Sequence, residues 1–460
     1  MSATALKAAI QSITVTHMKI ITWTLSVMLI VVPTLVHAQN RDRNTLVLND
    51  RQRAVDDGYW IYNNLEKGFE EAQQSGKPLL VVFRCIPCEA CAQLDEQVVE
   101  KNPAVRKHLS NFVCVRVVHA NGLDLSRFQF DYDQSWAAFF LNADGTIYGR
   151  YGTRSHQHDS EDDVSLDGFL DTLQSVLALH KQFPEARPTL VAKTGPKSEI
   201  ARPEDFAKLK EKYTSSLNYG PEVARSCIHC HQVGEAWREH FWLDKKSIPT
   251  EQIFAYPHPK ILGLIMDPTK AATVKSIVEG SLASEAGFQA GDKLVTLEKQ
   301  PLVSVADMQW ILHQRKEAGK IAFKITRAGS SKELELTLPD NWKERGDISW
   351  RASTWGLRRM VTGGLTFEPV AAEQRQELGL DLQAVGLRIK HVGQFNAHAA
   401  GKRAGFKVDD IVTQVDGIQR PMTESDLIAH LLRTKRPGDS VAVNLVREGK
   451  PLKLELPIQE

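Results

Sequence analysis

In the first half of the chain, short apolar runs alternate with segments of helical periodicity. A helical segment, DDGYWIYNNLEKGFEEAQQSGK, precedes the run PLLVVF, which is typical of a buried strand. A helical stretch follows and should bend at Pro103, because proline cannot donate to the helix ladder. Then come the strand NFVCVRVV, a strand pair AAFFLNADGTIYGRYG turning at Asp144-Gly145, and the helix SLDGFLDTLQSVLALHKQF. This order predicts an α/β unit of roughly 125 residues.

The second half of the chain contains an internal repeat, separated from the α/β unit by the Pro/Lys-rich stretch PEARPTLVAKTGPKSE. The two copies are VKSIVEGSLASEAGFQAGDKLVTLEKQPL and LRIKHVGQFNAHAAGKRAGFKVDDIVTQVDGIQ. Each copy has a strand, a small-residue turn, an Ala-Gly-Phe step, an acidic turn and an apolar strand, and a helix follows (SVADMQWILHQ or TESDLIAHLL). The period of about 110 residues excludes a short solenoid repeat and indicates two copies of one small domain.

The longest apolar run, Ile20–Val36, indicates export. It ends in Val36-His37-Ala38, which suits cleavage before Gln39, and polar sequence follows it. Residues 1–38 are therefore predicted to be a signal peptide, with a true start at Met18 as a variant of this prediction. An uncleaved N-terminal anchor is the alternative. In either case the remainder works outside the cytoplasm, as a periplasmic or secreted protein, where disulfides persist.

The composition further narrows the class of protein to which this chain can belong. The 460 residues are 42% hydrophobic and 25% charged, with 57 basic against 56 acidic side chains. These fractions exclude wholesale disorder, collagen and a multispan membrane protein, and the charge balance argues against nucleic-acid binding. Six cysteines are too few for a disulfide scaffold, and they are clustered: four lie between Cys85 and Cys114, and two lie at Cys227 and Cys230.

The first cysteine cluster follows the strand PLLVVF and begins a helix. A thiolate there faces unpaired backbone N–H groups and the positive end of the helix dipole, which lowers its pKa. Cys88 would be the exposed nucleophile, and Cys91, one turn into the helix, would resolve the mixed disulfide. With Cys88-Glu-Ala-Cys91 in this setting, the chain resembles the thioredoxin-like superfamily from about Tyr59 to about Phe183.

Other interpretations of this cluster stay open. Cys85-Ile-Pro-Cys88 is a competing pair, and three close thiols suit Cu(I) or Zn. An inert structural disulfide is a further alternative. Trp136 stands where thioredoxin-like proteins usually have a cis-proline, and a cis bond before a non-proline residue costs about 2.5–4 kcal/mol. Cys114, in an apolar strand, is predicted to be a buried thiol.

The second cluster, Cys227-Ile-His-Cys230-His231, is the attachment signature of c-type haem. Two thiols at this spacing form thioethers while His231 ligates the iron. The alternatives are a plain disulfide or half of a zinc site, which would need two further ligands. The other axial ligand is left unassigned among His240, His258 and Met266.

The two repeats resemble bacterial PDZ domains, in which a Gly-rich loop binds a peptide's terminal carboxylate and the peptide adds a strand. The matching loops are Gly263-Leu264-Ile265-Met266 and Gly364-Leu365-Thr366-Phe367. The other wall of each groove would be the helix at Val305–His313 or at Thr423–Leu432. The second copy has Asp409 where the first has Gly291. Domains that only pack against the rest of the chain are the alternative.

The order of these parts resembles a bacterial family of thioredoxin-like/PDZ domain-containing (seleno)proteins. The predicted fold class is multidomain α/β plus α+β: a thioredoxin-like domain, a short helical c-type haem segment and two tandem PDZ domains. The predicted bounds are a signal peptide at 1–38, a tether at 39–58, the thioredoxin-like domain at 59–185, a linker at 186–214, the haem segment at 215–258, PDZ domains at 259–340 and 359–460, and a linker at 341–358.

The leading functional hypothesis is an exported thiol–disulfide redox protein, with catalytic Cys88, Cys91 and Cys85, and with haem c held by Cys227, Cys230 and His231. Its partners would be a redox protein and peptide C-termini, with no membrane span in the mature chain. The absence of a G-x-S-x-G elbow argues against a protease. The alternatives are a non-enzymatic periplasmic scaffold that binds C-termini through the PDZ pair, or Cu(I) handling by the cluster from Cys85 to Cys91.

Overall fold

A computed structural model describes residues 42–86, 92–99, 103–156 and 160–460. Residues 42–460 form one compact unit. The predicted signal peptide and the predicted pair Cys88 and Cys91 lie outside the described residues. Within the described ranges, no helix is long and apolar enough to cross a membrane.

The first part of the chain forms a five-stranded mixed sheet in the order β1-β3-β2-β4-β5. Strands β1 and β2 both run parallel to β3, whereas β4 is antiparallel to both β2 and β5. The strands are β1 (Ile61–Tyr62), β2 (Leu79–Arg84), β3 (Val113–Val117), β4 (Trp136–Leu141) and β5 (Ile147–Tyr151). The helices of this part are α1 (Arg43–Asp57), α2 (Leu65–Ser75), α3 (Ala92–Val99), α4 (Pro103–Leu109), α5 (Ser160–Asp163) and α6 (Leu166–Lys181).

Several local expectations differ from this structure. The segment expected to be one helix before β2 contains the short strand β1 and then α2, which is capped by the Asn64 side chain. The stretch expected to bend at Pro103 is divided between α3 and α4, and Pro103 is the first residue of α4, where a missing N–H is tolerated. The N-terminal stretch expected to be a tether contains α1, which buries Val47 and Ala54.

Both faces of this sheet are covered. Side chains of a strand point alternately to opposite faces, so Val81 and Phe83 enter one cluster while Leu80 and Val82 enter the other. The second cluster includes Phe169 of α6. The first cluster also includes Ile228, Cys230, Val233 and Ala236. The second cysteine motif and its helix therefore cover one face of the thioredoxin-like sheet.

The segment between the sheet and the repeats is built from short helices and turns. Its α-helices are α7 (Arg187–Leu190), α8 (Ala207–Lys210), α9 (Cys230–Leu243) and α10 (Thr250–Ile253). Residues expected to be a linker at 186–214 contain two of these helices and the fully buried Lys193.

The first repeat forms a two-stranded sheet, β6-β7, and a four-stranded sheet in the order β11-β10-β8-β9. Its elements are β6 (Leu264–Met266), β7 (Val274–Ile277), α11 (Leu282–Glu285), β8 (Lys293–Leu297), β9 (Gln300–Pro301), α12 (Val305–Gln314), β10 (Gly319–Arg327) and β11 (Ser330–Leu338).

The second repeat forms one five-stranded sheet, β12-β13-β14-β15-β16, with β12 at its edge. Its elements are α13 (Thr354–Val361), β12 (Leu365–Pro369), α14 (Ala372–Glu377), β13 (Leu387–Val392), α15 (Ala400–Arg403), β14 (Ile411–Val415), α16 (Glu424–Thr434), β15 (Ser440–Arg447) and β16 (Lys450–Pro457).

The two repeats share an ion pair between a buried aspartate of the acidic turn and a partly exposed arginine. In the first copy, the Arg327 guanidinium donates to both carboxylate oxygens of Asp292, at 2.6 and 2.7 Å. In the second copy, Arg447 binds Asp410 at the same two distances. The residue before each aspartate has a positive φ, +87° at Gly291 and +69° at Asp409, a conformation that aspartate tolerates better than most residues. The two copies thus keep one turn despite the sequence difference.

The first repeat is joined to the thioredoxin-like sheet through α12. Asp307 accepts the backbone N–H of Arg150 in β5 at 3.1 Å and forms an ion pair of 2.8 Å with Lys193. Val303 packs into the sheet's second cluster, and the indole N–H of Trp310 donates to the Ala192 carbonyl at 3.3 Å. The helix expected to form a wall of the first PDZ groove is therefore also a structural contact between domains.

Candidate functional site

Cys85 directly follows the fully buried strand β2, and its backbone is held from both sides. The Cys85 N–H donates to the Ser135 carbonyl at 3.0 Å, and the Arg84 guanidinium donates to the Cys85 carbonyl at 2.5 Å. Cys85 is partly exposed. The bond between Ser135 and Trp136 is trans. These contacts place the Cys85 sulfur at the carboxyl end of the central strand.

The second cysteine motif is fixed beside this strand end by a short set of hydrogen bonds. The Ile228 carbonyl accepts the Ala120 N–H at 2.8 Å, and the Ile228 N–H donates to the Asn121 side chain at 2.8 Å. His229 precedes α9, and its N–H donates to Gln232 at 2.8 Å. The motif is thereby anchored to the loop that follows β3, the neighbour of β2.

Cys85 of the first motif contacts a residue of the second motif. The Cys85 sulfur lies 3.1 Å from Nδ1 of His229. Burial, and then the charges of His231, Arg43 and Lys212, lower the pKa of His229 to about 4. The imidazole is therefore neutral near pH 7, and a neutral ring nitrogen can accept a hydrogen bond from a neighbouring thiol.

The other residues of the second motif differ in their surroundings and partners. Cys227 is 3% exposed and packs in one small cluster, whereas Cys230 is 7% exposed and packs in the cluster beneath the sheet. Burial, and then Cys85, raise the pKa of Cys227 to about 12. His231 binds the Glu235 carboxylate through Nδ1 at 3.0 Å. Burial opposes the charged form of His231, but Glu235 outweighs it and holds the pKa of His231 above its usual value.

This arrangement does not fit a haem attached at the motif. Covalent haem joins both sulfurs to the edge of one porphyrin, yet Cys227 and Cys230 are buried in two separate clusters. His240 lies on the same unbroken helix as His231, about 13.5 Å along it, so it cannot ligate the opposite face of an iron. Met266 is part of the core of the first repeat. Haem attachment remains a prediction from the motif alone.

A buried ionic network lies beside the end of β2. Asp95 of α3 accepts two hydrogen bonds from Arg116 at 2.8 Å, and the Trp136 indole donates to it at 3.1 Å. Arg84 lies 3.3 Å from the same carboxylate. Arg116 also binds Asp50 of α1, at 2.8 and 3.2 Å. This network ties α3 to β2 and β3 at the strand that carries Cys85.

Sequence reasoning missed His229, Asp95 and Asp50 as site residues. It had treated residue 229 as a spacer within the second motif. One usable signal was present: Arg84 and Arg116 interrupt otherwise apolar strands, and arginine is almost never fully buried without a partner. In the part of the chain that the structure describes, no group of three or more potential ligands is arranged to hold a metal ion.

The predicted carboxylate loops begin the first strands of the two repeats. Gly263 ends a short 3-10 turn with a φ of +89°, and Leu264, Ile265 and Met266 form β6, which pairs with β7. Gly364, with a φ of +82°, precedes Leu365, Thr366 and Phe367 of β12. A side chain at position 364 would place its Cβ 2.0 Å from the His398 carbonyl oxygen. The second loop therefore requires glycine for its fold.

The helices opposite these loops make contacts with other parts of the chain. α12 is held against the thioredoxin-like sheet through Asp307. Glu424, the first residue of α16, is buried and accepts two hydrogen bonds from Arg358, at 2.7 and 2.9 Å. The open edge of β12 remains the side of the second sheet at which a peptide strand could add.

Comparison with known families agrees with this architecture. A thioredoxin-like family model matches residues 60–143, and a PDZ domain model matches residues 260–338 and 376–458. The chain is a thioredoxin-like, PDZ-containing protein. The predicted haem segment lies between the matched ranges of this thioredoxin-like/PDZ protein, and the second PDZ match begins after the loop at Gly364.

Curated relatives match only part of the chain. A protein named probable periplasmic serine endoprotease DegP-like, from Pseudomonas savastanoi pv. phaseolicola, is 26% identical over 188 residues, which are 40% of this chain and 37% of the relative. The protein of the same name from Ectopseudomonas mendocina is 27% identical over 186 residues, with the same coverage of both chains. The match thus covers little more than a third of the length of each relative. The endoprotease activity in the relatives' names refers to those proteins only.

Solved structures show a weaker likeness. The HtrA-type protease AlgW with decapeptide has a TM-score of 0.19 and 15% identity, and the match covers 30% of this chain and 41% of that one. The HtrA-type protease AlgW with tripeptide also has a TM-score of 0.19, with 17% identity over 29% of this chain and 42% of that one. Likeness at this level carries no argument about the thioredoxin-like/PDZ protein.

Proposed function

We propose that this chain is a periplasmic thiol–disulfide protein in which Cys85 is the attacking thiol and His229 accepts its proton. The observation that carries the proposal is the 3.1 Å contact between the Cys85 sulfur and Nδ1 of His229. The setting supports it, because the thiol follows the central strand of a thioredoxin-like sheet. The periplasmic location is supported by the apolar N-terminal run and by the names of the curated relatives.

The proton transfer accompanies the attack. As the Cys85 sulfur attacks one sulfur of a substrate disulfide, His229 takes the proton of the Cys85 thiol. The bond between the two substrate sulfurs breaks, a new bond joins Cys85 to one of them, and the other leaves as a thiolate. That thiolate takes the proton from His229. A second protein thiol then attacks the mixed disulfide, which leaves the substrate reduced by two electrons and the protein thiols oxidised.

The position of His229 favours a neutral base over a stable ion pair. His229 stands at the N-terminal end of α9, a helix of 14 residues, where the helix dipole disfavours a positive charge. Its ring is stacked on that of His231, with 5.7 Å between centroids. A protonated His229 would thus be short-lived and would return its proton to the departing sulfur.

The test is reduction of insulin disulfides by the full chain with dithiothreitol as the electron source, followed by turbidity. The wild type and Cys114→Ser are expected to accelerate the reaction, since Cys114 is buried and burial raises its pKa to about 12. Cys85→Ser is expected to lose the acceleration. Full activity in Cys85→Ser would contradict the proposal and would return the nucleophile to Cys88, as the sequence alone suggests.

A second function, binding of peptide C-termini, is favoured by one observation on the second repeat. β12 lies at the edge of its sheet and follows the glycine loop at Gly364. The test is fluorescence anisotropy with a labelled decapeptide that ends in apolar residues, compared with the same peptide as a C-terminal amide. We expect binding of the free acid that is at least about tenfold tighter, whereas equal binding of both peptides would contradict recognition of a carboxylate. A bulky residue at Gly364 is a poor probe, because it would meet the His398 carbonyl.

A further inference from the structure

We infer that Cys227 is the thiol that resolves the mixed disulfide on Cys85, so that the protein's two cysteine motifs close one disulfide between them. This inference rests on the proposed function, because it needs Cys85 to react first. It gives the second motif a redox role that does not require haem.

The strand register brings the two cysteines to the same end of the sheet. β2 and β3 are neighbouring parallel strands, and their last paired residues are Phe83 and Val117. Neighbouring strands lie about 4.8 Å apart, so the residues just after them stay close. Cys85 follows β2, and the Cys227 sulfur lies 3.8 Å from the carbonyl oxygen of Val118, the residue after β3.

The side chains around the two cysteines are also shared. Cys227 packs in a cluster against which Ile86, the neighbour of Cys85, is also packed. His229, two residues after Cys227, is the residue whose ring contacts the Cys85 sulfur. Ile86 and His229 therefore both connect the surroundings of Cys85 to the second motif.

The environments of the two thiols assign them different steps. Cys85 is partly exposed and has a base within hydrogen-bonding distance, so it meets the substrate. Cys227 is almost fully buried, so it does not meet the substrate. Once Cys85 is joined to a substrate sulfur, Cys227 attacks the Cys85 sulfur. The bond from Cys85 to the substrate breaks, and the substrate leaves as a thiol with the proton of Cys227.

After this step, Cys85 and Cys227 are joined and the substrate disulfide has received two electrons. A dithiol reductant then returns the protein to its starting state by the reverse exchange. Cys85 and Cys227 are not joined to each other in the structure. Disulfide formation requires Cβ atoms about 3.8 Å apart, so closing the bond requires the two side chains to approach each other.

The experiment exposes the reduced full chain to glutathione disulfide, blocks remaining thiols with N-ethylmaleimide, and maps linkages by mass spectrometry of a non-reducing digest. The wild type is expected to yield a peptide that links Cys85 to Cys227. Cys227→Ala is expected to accumulate glutathione on Cys85 at least about tenfold above the wild type. The matched control is Cys230→Ala, which removes the other cysteine of the motif from a different cluster and should behave as the wild type.

The outcomes separate this inference from the proposed function. A wild-type peptide that links Cys85 to Cys88, or resolution in Cys227→Ala as fast as in the wild type, overturns the role of Cys227 and leaves Cys85 as the attacking thiol. Absence of glutathione on Cys85 in both proteins, with no peptide linking Cys85 to another cysteine, overturns the proposed function as well. The wild-type linkage map needs no substitution, so it stands even where Cys227→Ala folds poorly.

Discussion

Nδ1 of His229 lies 3.1 Å from the sulfur of Cys85, although the two residues are 144 positions apart in the chain. The contact exists because α9 covers one face of the thioredoxin-like sheet and its N-terminal end lies beside the end of β2. It turns two motifs that are separate in the sequence into one site.

His229→Leu is expected to slow the reaction of Cys85 with 5,5'-dithiobis(2-nitrobenzoate) by on the order of 10²-fold at pH 7, because the thiol loses its proton acceptor. Stopped-flow absorbance measures the rate. His240→Leu is the matched control: this histidine lies on the same helix but is remote from Cys85, and the variant should keep the wild-type rate. Equal losses in both variants would show that the effect comes from disturbing α9 and would contradict a role for His229 as base.

Asp95→Ala is expected to destabilise the fold by about 3–5 kcal/mol, because it removes the partner of two buried arginines. Burial opposes the charged form of Asp95, but Arg116 and Arg84 outweigh it and hold its pKa below the usual value. Urea unfolding followed by circular dichroism measures the change. Glu96→Ala, at the exposed next position, should change stability by less than about 0.5 kcal/mol. A loss below about 1 kcal/mol in Asp95→Ala would contradict the importance of the network.

Asp307→Asn is expected to cost about 3–5 kcal/mol, because the fully buried amino group of Lys193 would lose its carboxylate partner. The double variant Asp307→Asn/Lys193→Met should recover part of this loss, since it removes both charges. Urea unfolding of the single and double variants forms a double-mutant cycle. The control is Glu335→Gln, which breaks an exposed ion pair with Lys320 and should cost less than about 1 kcal/mol. Additive losses in the cycle would contradict coupling between Asp307 and Lys193.

Acid should destabilise the protein partly through His313. Burial lowers the pKa of this histidine to about 3, and its ring is stacked on Tyr256 with 4.0 Å between centroids. The unfolded chain takes up the proton below about pH 6.5 while the folded chain does not, so stability is lost as pH falls through that value. His313→Phe should remove about 2 kcal/mol of the loss between pH 6.5 and pH 5, measured by urea unfolding at both values. An unchanged pH dependence in the variant would contradict a neutral, buried His313.

The sequence predicted the parts of this fold that have local signals. PLLVVF became β2, the turn at Asp144-Gly145 joins β4 to β5, and the repeat appeared as matching turns that the structure closes with the pairs Asp292–Arg327 and Asp410–Arg447. Hydrophobic periodicity and turn chemistry act over a few residues, so these elements could be read without tertiary information.

The site could be predicted only in part, for a physical reason. The sequence predicted Cys88 as the nucleophile and Cys85 as a member of a competing pair. The partner of Cys85 is set by how α9 packs on the sheet, and that packing has no signature at residue 229. The spacing Cys-x-x-Cys-His predicts haem attachment, which stays a prediction, and burial of Cys227 and Cys230 is a tertiary outcome that spacing does not encode.

The most direct test of the account is competitive alkylation of the reduced, native chain. A limiting pulse of light iodoacetamide near pH 7 is followed by unfolding, labelling with heavy iodoacetamide, and mass spectrometry of each cysteine peptide. We expect Cys85 to take up the light label first, with Cys114, Cys227 and Cys230 labelled almost entirely after unfolding. Preferential light labelling of Cys88 or Cys91 while Cys85 stays protected would contradict the claim that Cys85 and His229 form the reactive pair.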